Sequence, residues 1–166
     1  MSEAVFSSAI DRGVGQRVVL PLKGQSSTAL IQALTDYCRQ QQKTLLVLPV
    51  KGGVLSHLKA WENIILPLHY HTRLTLEALN LRLSQLCPVW GWEAESLATW
   101  LGCLPVNLSH SQHHLCVLIR ALLCPAEVLV VEAGFWQGFP AETADRYQRQ
   151  LLQHIQAQSS VWLEFD

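Results

Sequence analysis

Three hydroxyl side chains stand in a row at Ser26, Ser27 and Thr28, in the stretch LPLKGQSSTAL (Leu20–Leu30) that leads from an apolar run into a helical period. A loop of this kind handles phosphate when glycines open its backbone N–H groups to the oxygens, a lysine meets the outer charge, and a last Ser or Thr holds magnesium. With Ser27 and Thr28 on the final positions of that pattern, Ser26 stands where the lysine belongs and Gln25 where its preceding glycine belongs. Taken alone, the three hydroxyls describe an ordinary helix N-cap. A second cluster, Ser109, His110, Ser111 and Gln112, opens LSHSQHHLCVLIRALLCPAEVLVVEAG (Leu108–Gly134). There a short loop leads to an amphipathic helix, a turn at Pro125 and a buried strand ending in Glu132. Glu132 is followed by Ala133, so the paired acids that would hold metal and orient a water are reduced to one.

His110, His113, His114 and Cys116 recur at helical spacing and include good zinc ligands. Zinc sites draw on spaced pairs fixed by turns or opposed elements, so the set reads as the polar face of a helix, and no metal is expected. The five cysteines (Cys38, Cys87, Cys103, Cys116, Cys124) form no C-x-x-C and suit buried free thiols in a reducing compartment.

Alternating strands and helices must position these groups. Arg17 to Leu22, Thr44 to Pro49, Glu127 to Glu132 and Ser160 to Phe165 read as apolar strands. Ser26 to Gln42, Leu74 to Leu86, Glu93 to Leu101, a segment begun near Ser109 and ending at Leu123, and Ala141 to Gln156 read as helices. Apolar strands separated by helices imply a parallel sheet covered on both faces. The stretch from Leu74 to Pro105 is helical only, carries Trp90, Trp92 and Trp100, and reads as an insertion in that α/β core.

Composition narrows the function. At 166 residues, 49% hydrophobic and 15% charged, the chain suits one globular domain with apolar surface to spare for a protein partner. The net charge of -1, with no Lys/Arg cluster, sets nucleic acid aside. MSEAVFSSAIDRG is not a signal peptide, and no segment reaches the roughly 18 apolar residues of a membrane span. A cytoplasmic protein is expected.

The order of the pieces resembles an ABC transporter ATPase over about Gly15 to Asp166. VKGGVLSHLKAWENIILPLHYHTRL is similar to the stretch after the Q-loop, LSHSQ to the LSGGQ signature, IRALLCPAEVLVVEAG to the run through Walker B, and SVWLEFD to the strand before the switch histidine. PLHYHTRLT (Pro67–Thr75) and EAGFWQGFP (Glu132–Pro140) are similar to loops of the ATPase subunit of Mla/MCE phospholipid transporters. The resemblance implies a P-loop NTPase-like domain over residues 1–166, with a mostly parallel sheet flanked by helices, a helical subdomain at about 74–105 and a reduced antiparallel β subdomain. It also implies a seat beneath a permease at the bacterial inner membrane.

Carried across by this resemblance, the Walker A lysine falls on Ser26, the Q-loop glutamine on Val50, the signature glycines on His110 and Ser111, and the Walker B aspartate on Glu132. The catalytic glutamate falls on Ala133, the D-loop aspartate on Phe139 and the switch histidine on Phe165. Ser27, Thr28, Leu108, Ser109 and Gln112 are retained. Losing the lysine removes a charge-assisted contact of about 1.5–3 kcal/mol, and losing the acid or base costs roughly 10²- to 10⁴-fold in rate. His110 adds a side chain where bare backbone should meet phosphate.

The expectation is a catalytically inactive ABC ATPase-like subunit of a lipid transporter, structural or regulatory, with weak or no binding of Mg-ATP and no cofactor. Its partners would be a membrane permease subunit and either an intact ATPase subunit or a second copy of itself, which makes it peripheral on the inner membrane. A free-standing protein-binding adaptor and a nucleotide sensor without hydrolysis stay open. In the resembled family the permease docks between the Q-loop and the helical subdomain. That assigns partner binding to Val54, Leu55, His57, Leu58, Trp61 and His71, and makes His69 and His71 loop contacts.

Overall fold

The computed structural model describes residues 3–22, 24–71 and 74–165, without the side chains of His69, Tyr70 and His71. Its elements in chain order are α1 (Glu3–Arg12), β1 (Arg17–Leu20), α2 (Ser27–Gln40), β2 (Leu45–Leu48), α3 (Ala60–His71), α4 (Leu76–Trp90), α5 (Ala94–Leu101), α6 (His110–Leu123), β3 (Val128–Glu132), α7 (Ala141–Gln158) and β4 (Val161–Phe165). Short 3₁₀ turns lie at Pro105–Asn107 and Phe135–Gly138. Among the described residues the four strands form one sheet in the order β1-β4-β3-β2, and every pairing is parallel. The expected parallel α/β sheet is therefore present, and no antiparallel strand pairs with it among the described residues.

Contacts divide the chain into two units, Met1–Val50 with Pro125–Asp166, and Lys51–Cys124. The first holds the sheet. Alternation sends Leu20, Val128, Val130, Val161, Leu163 and Phe165 to one face, where they meet Phe6 and Ile10 of α1 and Leu30, Leu34, Tyr37 and Cys38 of α2. Each aliphatic or aromatic side chain fully buried here is worth about 1.5–3 kcal/mol. Arg17, Trp162 and Glu164 point to the other face. There Arg17 Nε meets Glu164 Oε2 at 2.9 Å, the guanidinium lies over the Trp162 ring, and Nη1 donates to Gln148 Oε1 of α7. Gly13 sits where α1 turns into β1, so close to Ala9 O, Val18 and Val161 that a Cβ would lie within 2.7 Å of all three.

The second unit is helical. Leu79, Leu83, Cys87 and Trp90 of α4, Leu97 and Trp100 of α5, and Ala60, Ile64 and Leu68 of α3 are buried. Trp90 and Trp92 pack with ring centroids 5.4 Å apart. Two expectations need correction here. Pro67–His71, read as a loop, is the last part of α3, because the apolar residues on both sides of Pro67 hold the segment helical despite the missing N–H. The Leu74–Leu86 helix runs on through Pro88 to Trp90, where Gly91, at φ 67°, takes the left-handed conformation that ends it.

Candidate functional site

In open parallel sheets ligands bind beyond the C-terminal ends of the strands. Register sets Leu20, Phe165 and Glu132 side by side across β1, β4 and β3, and pairs Leu48 of β2 with Val131. The sheet unit thus brings Ser26–Thr28, Phe165, Glu132, Ala133 and Val50 to one end. Those are the positions the sequence singled out. Ser26, Glu132 and Phe165 among them have structural roles.

Ser26 is the N-cap of α2. Its backbone is extended (φ -75°, ψ 143°), and its Oγ accepts from the N–H of Ala29 at 3.1 Å, satisfying one of the free donors of the first turn. Ser27 is half-buried and Thr28 exposed at the first helical positions. Glu132, half-buried at the end of β3, accepts from the backbone N–H of Val50 through Oε2 at 2.8 Å, so the one retained acid ties down the loop after β2. Ala133 is exposed, and Gly134 turns the chain at φ 90° into the Phe135–Gly138 turn. Phe165 is fully buried in the sheet core, and Phe139 packs edge-on against Phe135 and Tyr147. Neither aromatic presents a polar atom.

The signature-like segment belongs to the helical unit. Ser109 caps α6 in a reciprocal pair: its Oγ accepts from Gln112 N at 3.2 Å, and Gln112 Oε1 accepts from Ser109 N at 2.8 Å. The two polar residues kept from the signature pattern therefore bond each other. His110 is exposed, Ser111 is half-buried, and the His110 ring lies edge-on to His114. One ring nitrogen of His114 bonds the His110 carbonyl, and His113 Nε2 bonds the Pro105 carbonyl at 2.7 Å. These are within-helix and helix-to-turn contacts.

Of the residues assigned to a partner, Leu55 and His57 are exposed while Val54, Leu58 and Trp61 are half-buried; the side chain of His71 lies outside the described part. Trp90, Trp92 and Trp100 are buried. Sequence reasoning assigned no role to Asn63, yet it is 1% exposed and makes four side-chain hydrogen bonds. Its sequence signal is the Glu-Asn that opens ENIILPL, within the stretch similar to the one after the Q-loop. Nor did the sequence single out Arg120, whose Nε donates to the Asn63 carbonyl at 3.0 Å. Pro67, four residues after Asn63, has no N–H to give that carbonyl, and Arg120 supplies the missing donor.

No family model matches the chain, and no curated protein matches it. Solved structures do. The ATP-binding subunit of an ABC transporter superposes with a TM-score of 0.71 at 14% identity, over 92% of this chain and 68% of its own. A bacterial ABC transporter cassette solved as a dimer gives 0.72 at 12%, over 92% and 75%. A dimeric cassette in a post-hydrolysis state, bound to ADP and phosphate, gives 0.68 at 12%, over 90% and 73%. At this identity the likeness establishes the fold, which is the parallel α/β fold of ABC transporter ATP-binding cassettes.

Proposed function

We propose that the chain is a catalytically inactive ABC ATPase-like subunit of an Mla/MCE-type lipid transport complex, with a structural or regulatory role at a membrane permease. The observation that carries the inactive reading is the occupation of the strand-end row. Where phosphoryl transfer needs a lysine, a water-positioning acid and a γ-phosphate donor, the chain places a helix cap (Ser26), a methyl group (Ala133) and a core aromatic (Phe165). Catalysis of that reaction rests on positioning and charge stabilisation, and these groups supply neither. The permease is inferred from the fold of transporter subunits, and the lipid class from the sequence similarity at Pro67–Thr75 and Glu132–Pro140.

Nucleotide binding gives the direct test. A ligand at 100 times its Kd stabilises a protein by about 2.7 kcal/mol, and millimolar Mg-ATP is expected to leave the melting temperature unchanged. A rise of several degrees with no phosphate release would favour a nucleotide sensor. Steady hydrolysis by pure protein, abolished in Ser27→Ala, would overturn the inactive reading. Purification from native membranes together with a permease supports the subunit role, and recovery only as a soluble protein supports a free-standing adaptor.

A further inference from the structure

Along α7, Asp145, Gln148, Arg149 and Leu152 recur at i, i+3, i+4 and i+7, which sets them in one stripe of the helix. With Arg17 and Trp162 they line a groove of about 250 Å³ between α7 and the sheet. Arg17 opens β1 and stands opposite Trp162 in register, so the groove lies over the start of β1 and β4, away from the strand ends described above. Drug-sized pockets run to roughly 300–1,000 Å³. This groove suits a smaller molecule.

Its groups are partly committed and partly free. The Arg17 guanidinium lies 4.8 Å from the centre of the Trp162 ring, with Nε 2.9 Å from Glu164 Oε2 and Nη1 donating to Gln148 Oε1 at 3.4 Å. Its charge is answered within the chain. Asp145 and Arg149 differ: opposite charges four apart on a helix, acid first, are placed to pair, yet neither makes an ion pair among the described residues. Both are exposed at the groove. Trp162, which also lines it, is 1% exposed, and its Nε1 has no acceptor among the described residues. Buried donors in folded proteins are as a rule satisfied, so this one marks an unmet demand beside the groove.

Free charges of both signs select against a ligand that carries only one. A plain anion on Arg149 also meets Asp145, and a plain cation on Asp145 also meets Arg149, and juxtaposed like charges suppress binding. A zwitterion answers both. The indole of Trp162 and the half-buried Leu152 add apolar wall for a side group. We propose that this groove binds a small zwitterion with an apolar side group, the chemistry of a free α-amino acid whose side chain is aromatic or large and aliphatic. The ammonium meets Asp145 and the carboxylate meets Arg149. The site stands apart from the docking role and the lipid class proposed above, and neither is needed for it.

The test titrates the whole chain with L-phenylalanine, glycine, N-acetyl-L-phenylalanine and L-phenylalaninamide, followed by calorimetry and by NMR shifts of the backbone amides. Phenylalanine should saturate, with shifts concentrated at residues 145–152, residues 161–164 and Arg17. Acetylation removes the ammonium and amidation removes the carboxylate, and each should weaken binding about fivefold, the upper scale of one exposed charge pair. Glycine keeps both charges without the side group and should bind more weakly than phenylalanine. Asp145→Asn should erase the preference for phenylalanine over its acetylated form and keep the preference over the amide. Arg149→Gln should do the reverse. A crossed pattern of this kind reports pairwise contact, which a general loosening of α7 would not produce. Both side chains are exposed, so the melting temperature should stay at the wild-type value in each variant.

The absence of saturable shifts with phenylalanine would overturn the proposal, as would equal binding of the free, acetylated and amidated forms. Unchanged preferences in either variant would do the same. Benzoate binding as tightly as phenylalanine would show an anion site at Arg149 and sink the zwitterion.

Discussion

Single residues decide what the strand-end row can do. Ser26 illustrates how far local chemistry carries: a hydroxyl just before a helical period caps the helix whatever the rest of the chain does, and the N-cap was legible from the sequence. Ser26→Ala should therefore cost about 1 kcal/mol in chemical denaturation, and Ser26→Lys a similar amount without gaining Mg-ATP binding, because Ala133 and Phe165 still lack the other groups. A lysine variant that melts several degrees higher with Mg-ATP would show the row to be one residue from function. The duty of Glu132 was not legible. Its partner, the Val50 N–H, lies 82 residues away in sequence, and only strand register brings the two together. The thiols follow from burial alone. It pushes Cys38, Cys116 and Cys124 up to about 11, with the nearby cations Lys43 and Arg120 opposing weakly. An unfolded thiol loses its proton near 8.5, so between the two values the unfolded chain holds fewer protons and stability falls as pH rises. The denaturation midpoint should drop as the pH rises from about 8 to about 10.5. An unchanged midpoint would mean these thiols titrate as they do in solution.

Elements with a strong period were read close to their true bounds, and elements held by a few contacts were not. The strands and α7 carry enough apolar repeats to be seen directly. α1 has only Phe6 and Ile10 to mark its buried face, one turn apart, and the sequence offered no reason to place a helix there. α3 was missed for the opposite reason. Its apolar run holds a proline, Pro67, inside the helix, and the donor for the carbonyl that Pro67 cannot bond comes from Arg120 on α6, 57 residues from Asn63. Arg120→Met should destabilise by about 1–3 kcal/mol, the cost of leaving the buried Asn63 carbonyl unpaired. In a Pro67→Ala background the backbone N–H gained at that position can take the carbonyl, so the same Arg120→Met change should cost about 1 kcal/mol less. Strictly additive costs in the double-mutant cycle would show that Arg120 contributes packing and charge alone, and that the carbonyl finds another donor.

At the scale of the whole molecule, the fold of an ABC cassette is shared at 12–14% identity with solved neighbours, and at the strand ends Ser26 caps a helix, Glu132 ties down a loop and Phe165 fills the core. If hydrolysis no longer holds the fold under selection, contact with a partner is the remaining demand, and it falls on surface residues whose loss the fold tolerates. Trp61 is the sharpest case. It lies in the first turn of α3, half-buried, beside the loop that Asn63 fixes, while Trp90, Trp92 and Trp100 are buried. Interface centres concentrate aromatics and exclude charge, and truncating a central anchor costs about 2 kcal/mol or more of binding. If the chain docks on a membrane permease as proposed, Trp61→Ala should abolish its recovery with that partner, while the melting temperature falls only by the loss of a half-covered side chain. Ser27→Ala, at the nucleotide-like end of the sheet unit, should change neither. Were Trp61→Ala to unfold the chain and leave residual association at the wild-type level, Trp61 would be a core residue, and the face carrying Leu55 and His57 would have lost its anchor.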